Sequence, residues 1–297
     1  MKNIVSIITA SAILLATPMQ EVHAQDIESY TPTGPWTADF GEDYCRLVRE
    51  FGNGSKTISL ALERIQPGAS MRALLVGESL KAFRGSNTIG YSFGPGGAGA
   101  STGFATSKTA TGDTLMVLGA MTLAGQPAMG PQAAAYDPAA ERKAAEATTS
   151  LRLTEGLVDP VELKTGAMGD VFEVLNTCTD DLVTYWGLDA QKHHDLQRRA
   201  SVVPGATLPN GIVPFGEFGK LTAGYNQLRI MVGADGSVQS CHVHQPTLSE
   251  ALNAKICEEV PKNVRFEPAL DASGQAIASY FVTPVMMLLP APGGRRR

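Results

Sequence analysis

What the sequence lacks narrows its function first. Beyond the first two dozen residues, no segment approaches the ~20 consecutive apolar residues that a membrane-spanning helix needs. Positive charge is not in excess: the formal net charge is −5, whereas nucleic-acid binding wants a basic face. The four cysteines form no C-x-x-C pair, which disfavours a redox motif or a thiolate zinc site. No phosphate-binding loop, dinucleotide fingerprint or Asp-Thr-Gly protease signature occurs. Nothing in the chain points positively to catalysis, and no cofactor or metal is expected.

The N-terminus is what stands out. Lys2 precedes an apolar run over residues 4–16, and Val22-His23-Ala24 before Gln25 fits a small-x-small cleavage site. The run is about thirteen residues long, too short to span a bilayer and suited to a signal peptide. No cysteine follows it, which argues against a lipid anchor. The expectation is a soluble envelope protein, periplasmic, cleaved after Ala24. It keeps about 273 residues, room for two domains of the usual ~100–200 residues. In an oxidising compartment the even count of cysteines suggests two disulfides, for which four cysteines allow three connectivities. Their spacing gives an early pair, Cys45 and Cys178, and a late pair, Cys241 and Cys257.

From Trp36 to about Thr154 the text is strand-like. Short apolar or alternating runs over 44–48, 57–62, 72–76 and 114–118 are separated by turns such as Gly52-Asn53-Gly54 and Gly112-Asp113, which predicts a sandwich or partial barrel. Residues 133–147 read as a short exposed helix or a loop. Over 168–187, Val171, Leu175, Cys178, Leu182 and Trp186 recur at spacings of three and four, one face of a long packed helix with Gly187 as its stop. Cys178 then points inward, within reach of Cys45. Trp36 and Trp186 read as core residues, and Asp180-Asp181 as solvent-facing. The Pro- and Gly-rich stretch over 189–220 places a boundary near 203–212, giving domains at 25–203 and 204–290 and a basic tail at 291–297.

The second domain opens with the alternating run 227–232, an Asp235-Gly236 turn and a returning run 238–244, a strong hairpin signal. Thr247-Leu248-Ser249-Glu250 matches a capping box, followed by Leu248, Leu252, Ile256 and Val260 on one helical stripe ending near Pro261. Extended segments follow at 264–269 and 278–282, with Asp271-Ala272-Ser273-Gly274 turning between them. The order is strand, strand, helix, strand.

This text resembles the C-terminal domain of the TonB family of periplasmic energy transducers. The matching segments are "VGADGSVQSCHV" from Val232, "TLSEALNAKIC" from Thr247, "VRFEPAL" from Val264 and "DASGQAI" from Asp271, within about 221–289. A transducer's membrane anchor and long Pro-rich spacer are replaced here by a cleavable signal and a globular domain. The resemblance therefore implies the fold and a peptide-binding edge rather than energy coupling. Pro284 cannot donate to a ladder, so it belongs on an edge strand or just past a strand's end. Ser279, Tyr280, Phe281, Val282 and Thr283 before it are the expected exposed edge. The implied partner is an envelope protein or peptide, such as an outer-membrane receptor segment, with a second copy of the chain as the alternative occupant.

A rival reading is an envelope enzyme or metal-binding protein with its site in the first domain. Gly99-Ala100-Ser101-Thr102-Gly103 spells a G-x-S-x-G elbow, which requires a strand before it and a helix after it. His193-His194 is a second candidate. His242 and His244, two apart on a strand, share a face and could hold a metal, but they also fit a solvated outer face. The expected architecture is α+β: a β-rich first domain with one long packed helix, then a small strand-strand-helix-strand domain.

Overall fold

The computed structural model describes residues 27–94, 97, 99–124, 136–205, 226–244 and 250–285. The fold is mixed α+β and β-rich. Its first part has strands β1 (Glu28–Pro32), β2 (Thr37–Phe40), β3 (Cys45–Asn53), β4 (Lys56–Arg64), β5 (Met71–Val76), β6 (Thr88–Phe93), β7 (Ala100–Lys108) and β8 (Thr114–Met121). Helix α1 (Pro138–Glu146), β9 (Leu151–Leu153), β10 (Val161–Leu163), α2 (Gly169–Tyr185) and α3 (Ala190–His194) follow.

Nine of these strands close into a barrel in the order β1-β10-β9-β6-β7-β8-β5-β4-β3, with β1 returning to β3. Closure depends on β1 splitting its partners. Glu28 to Tyr30 run parallel to β10, while Thr31 and Pro32 pair with Phe51 and Gly52 of β3. The expected sandwich or partial barrel is thus a closed one. Strand β2 continues along the same edge of β3, placing Phe40 opposite Cys45. Alternation along the strands sends Leu47, Phe51, Ile58, Leu60, Leu62, Leu75, Ile89, Tyr91 and Leu151 inward. The interior is filled by side chains, so the barrel is a core and not a ligand cup.

The helices close one mouth of the barrel. Asp137 caps α1 by accepting from Ala139 and Ala140 N–H, with Pro138 at the first helical position. Helix α2 turns Val171, Phe172, Leu175, Cys178 and Leu182 inward, and Cys178 is bonded to Cys45. Arg64, fully buried at the end of β4, donates to Glu141 of α1 and Asn176 of α2. Helix α1 is therefore not simply an exposed surface helix: Glu141 and Ala145 are buried.

Strand β11 (Ser201–Val202) leads to a second core. It comprises β12 (Asn226–Val232), β13 (Val238–His244), α4 (Glu250–Asn263), β14 (Phe266–Glu267), β15 (Ala269–Leu270), β16 (Ala276–Ile277) and β17 (Ser279–Val285). Three strands form an antiparallel sheet in the order β13-β12-β17. The Asp235-Gly236 turn joins β12 to β13. Gly236 has φ 78°, and a Cβ there would sit 2.3 Å from the Phe266 carbonyl oxygen, so only glycine fits. Helix α4 packs Leu252, Ile256 and Val260 on Leu228, Ile230 and Val243, and Cys241–Cys257 ties it to β13. It runs through Pro261 to Asn263, two residues beyond the expected end. Strand β11, before the expected domain boundary, pairs with β14 beyond it, and Ala200 lies in the second core. No helix among the described residues is long and apolar enough to cross a membrane. The signal segment 1–24, residues 206–220 of the linker, the first three capping-box residues and the basic tail lie outside the described residues.

Candidate functional site

The three-stranded sheet has two faces, and both are covered. Helix α4 takes one. The other lies against the outside of the barrel, where β3, β4 and β5 present Arg46, Glu63 and Arg72. Glu63 is fully buried. It accepts from Arg46 Nη2 at 2.5 Å and Arg72 Nε at 2.5 Å, and its Oε1 lies 3.2 Å from His244 Nε2. Burial pushes this carboxyl up, but the His244 contact and the charges of Arg72, His244 and Arg46 outweigh it and hold it at about 2. Tyr44 packs edge-on against His244 at 5.6 Å and lies under the Arg46 guanidinium.

Asp43 forms a second contact of the same kind. Arg229 Nη1 donates to it at 3.0 Å, and His242 Nε2 stands 2.6 Å from its other oxygen. The His242 contact is short, and its angle falls outside good hydrogen-bond geometry. Burial raises the Asp43 carboxyl, and His242 and Arg229 together bring it below its ordinary value. Arg229 also lies over the Trp186 ring at 4.3 Å. His242 and His244 do share a face, as their spacing requires. That face is docked on the barrel, which buries His244 and so corrects the expectation there, while His242 keeps 43% of its side chain exposed.

The expected edge residues alternate between the two faces: Ser279, Phe281 and Thr283 lie opposite Val232, Ile230 and Leu228 on the helix side, and Tyr280 and Val282 opposite Met231 and Arg229 on the seam side. Ser279 and Tyr280 are both buried, Tyr280 in the seam: Ser279 Oγ lies 3.1 Å from His193 Nε2, and Tyr280 stacks on His193 and meets Trp186 edge-on. Burial raises the Tyr280 hydroxyl, which lies beside Arg199 without a well-aligned hydrogen bond. Phe281 packs on Phe266, and Val282 and Thr283 are half-buried. Strand β17 is the end strand of its sheet, and no strand among the described residues pairs with its outer side.

The catalytic alternatives find no geometry. Ser101 lies within β7, opposite Gly90 of β6, so the G-x-S-x-G letters spell a barrel strand and not a strand–helix elbow. The Ser279–His193 pair is at bonding distance, with His193 Nδ1 bonded to the Asp189 carbonyl oxygen. Both residues are buried under Tyr280, which closes them to substrate and makes them a strut between α3 and β17. His194 turns away to Asp180, at 3.1 Å, so the adjacent histidines do not converge and Asp180 is not freely solvated. Among the described residues no three His, Cys, Asp or Glu side chains gather as metal ligands.

Asp43, Glu63, Arg46, Arg72 and Arg229 were not singled out from the sequence. The available signal was charge at strand ends otherwise built of apolar alternation: Glu63-Arg64 closing β4 and Arg72 opening β5. Compared with family models, curated proteins and solved structures, the chain finds no match.

Proposed function

We propose that the chain is an exported, non-enzymatic binding protein of the cell envelope. Its second domain, a TonB C-terminal-like module, adds an extended segment of a partner protein to the outer edge of β17. The observation that carries this is the place of β17 at the end of the β13-β12-β17 sheet. Strand addition draws affinity from unpaired backbone groups and specificity from alternate side chains.

Pro284 fixes which groups those are. It pairs in register with Gln227 and has no N–H to give β12, so its backbone belongs to the outward-facing set. By alternation, the N–H and C=O groups of Val282 and Tyr280 face outward with it. The seam supports the reading from the other side. By holding Tyr280 against His193 and Trp186, it makes the edge rigid before a partner arrives, which lowers the ordering cost of binding. The strand-strand-helix-strand order and the two disulfides accord with an exported module of this kind.

The test is an NMR titration of the ¹⁵N-labelled mature chain with peptides from the N-terminal segments of TonB-dependent receptors. Saturable shifts confined to 279–285 and adjoining β12 are expected. No shift with any such peptide, in a chain shown to be folded and monomeric, removes the proposal. A dimer joined through β17 would assign the edge to a second copy.

A further inference from the structure

The first domain has a surface of its own where the end of β2 meets α2. Helix α2 sends one stripe inward, but Val174 and Tyr185 stand on its outer side, 41% and 65% exposed. Phe40 at the end of β2 adds a third large apolar side chain, 48% exposed. With Gly41, Cys178 and Leu182, Phe40 and Tyr185 line an open groove of about 400 Å³. A second hollow of about 290 Å³ continues it past Val174 and Thr177. Val174 and Tyr185 are three helical turns apart, about 16 Å along the axis. Apolar side chains clustered in a groove, rather than scattered singly, mark a contact surface.

The rim is acidic. Glu42, Glu173 and Asp181 line the two hollows. Arg142 neutralises Glu173 at 2.9 Å, whereas Glu42 and Asp181 form no ion pair among the described residues. Asp181 is also placed against its own helix. It follows Asp180 towards the C-terminal end, where the helix dipole is negative, and the last turn of α2 has no basic residue. Only Asp180 has a compensating neighbour, His194. A cation supplied from outside would offset Asp181 and the helix end together.

We propose that this groove docks a short amphipathic segment of a partner protein, with apolar residues on the floor and Lys or Arg against Glu42 and Asp181. Charge complementarity selects this occupant. An acidic segment would meet repulsion, and an uncharged apolar one would cover two carboxylates without pairing them. The site is separate from β17, and neither reading depends on the other.

Fluorescence anisotropy on the full mature chain tests it. The probes are two labelled helix-forming peptides of about three turns, identical in their Leu pattern, one carrying Lys and the other Glu. The Lys peptide is expected to bind and the Glu peptide not. Asp181→Lys should weaken the Lys peptide about tenfold and raise affinity for the Glu peptide, a reciprocal exchange that a structural defect cannot produce. Phe40→Ser should weaken the Lys peptide in the same assay. Equal binding of both peptides, or indifference to Asp181→Lys and Phe40→Ser, overturns the proposal. Binding that appears only after deletion of 286–297 assigns the groove to the chain's own tail. Self-association abolished by Phe40→Ser assigns it to a second copy. Either result also overturns the proposal.

Discussion

Glu63→Gln is the most informative single change, because it removes the charge but keeps the shape of the group at the centre of the seam. In the native chain the carboxylate is fully buried between Arg46, Arg72 and His244. Its fall from 4.5 to about 2 corresponds to roughly 3 kcal/mol of stability at neutral pH. Mutational experience with broken buried pairs gives about 3–5 kcal/mol, because the remaining charges are left uncompensated. The two routes agree, so the expected loss is about 3 kcal/mol.

The pH dependence gives a sharper test. A depressed carboxyl contributes fully above its unfolded value of 4.5 and loses that contribution as the pH falls towards about 2. Urea unfolding of native and Glu63→Gln chains should therefore differ by about 3 kcal/mol at pH 7, with the curves converging between pH 4.5 and 2. Glu162, also held at about 2 by Lys164, Arg152 and Ser29 against its burial, is present in both chains and cancels. Trp186, 5.2 Å from Tyr280, reports seam opening by its emission once Trp36 is replaced by Phe. A loss below about 0.5 kcal/mol at pH 7, or a gap unchanged from pH 7 to pH 2, would refute the reasoning.

Two further outcomes are expected. Replacing Cys241 and Cys257 by Ser opens a loop with 15 residues between the sulfurs' positions and should cost the second domain about 3 kcal/mol, read by thermal unfolding against the native chain. Arg64→Met should cost about 3–5 kcal/mol by stranding Glu141 at the barrel mouth, whereas Arg64→Met with Glu141→Leu should recover most of it in urea unfolding.

The parts of this fold visible in the sequence are those whose signals are local. Strands β3, β4, β5 and β8 carry apolar or alternating runs within the element, and each corresponds to an expected run. The Asp235-Gly236 hairpin is legible because its turn chemistry sits beside both strands. Closure of the barrel is not local. It rests on Glu28 meeting Val161 and Pro32 meeting Phe51, pairings that no window of sequence contains. Strand β7, written in Gly, Ala, Ser and Thr, has little apolar pattern, and its letters matched a catalytic motif instead. For His242 and His244 the period of two gave a shared face, but periodicity says nothing about what lies opposite a face. That is why Glu63 and Asp43 went unpaired in the sequence reading.

The four residues 42–45 bring these features together. Glu42 stands on the groove rim, Asp43 holds Arg229 and His242, Tyr44 packs on His244, and Cys45 is bonded to Cys178 of α2. Arg229 in turn pairs in register with Val282 on the edge strand. The groove and the edge are therefore joined by an unbroken set of contacts running through the seam, with Trp186 between Arg229 and Tyr280. Contact alone does not transmit binding energy; that requires an element with two arrangements that both sites bias. The seam is the element that lies between the two sites. Its charges are strongly paired, yet Trp186 Nε1, Arg229 Nε and His244 Nδ1 are buried with no hydrogen-bond partner among the described residues. Each such group costs about 1–3 kcal/mol that opening would return to water. Charge pairing and these unpartnered groups act on the docking of the two cores with opposite sign, and Glu63→Gln is expected to weaken it by the same ~3 kcal/mol.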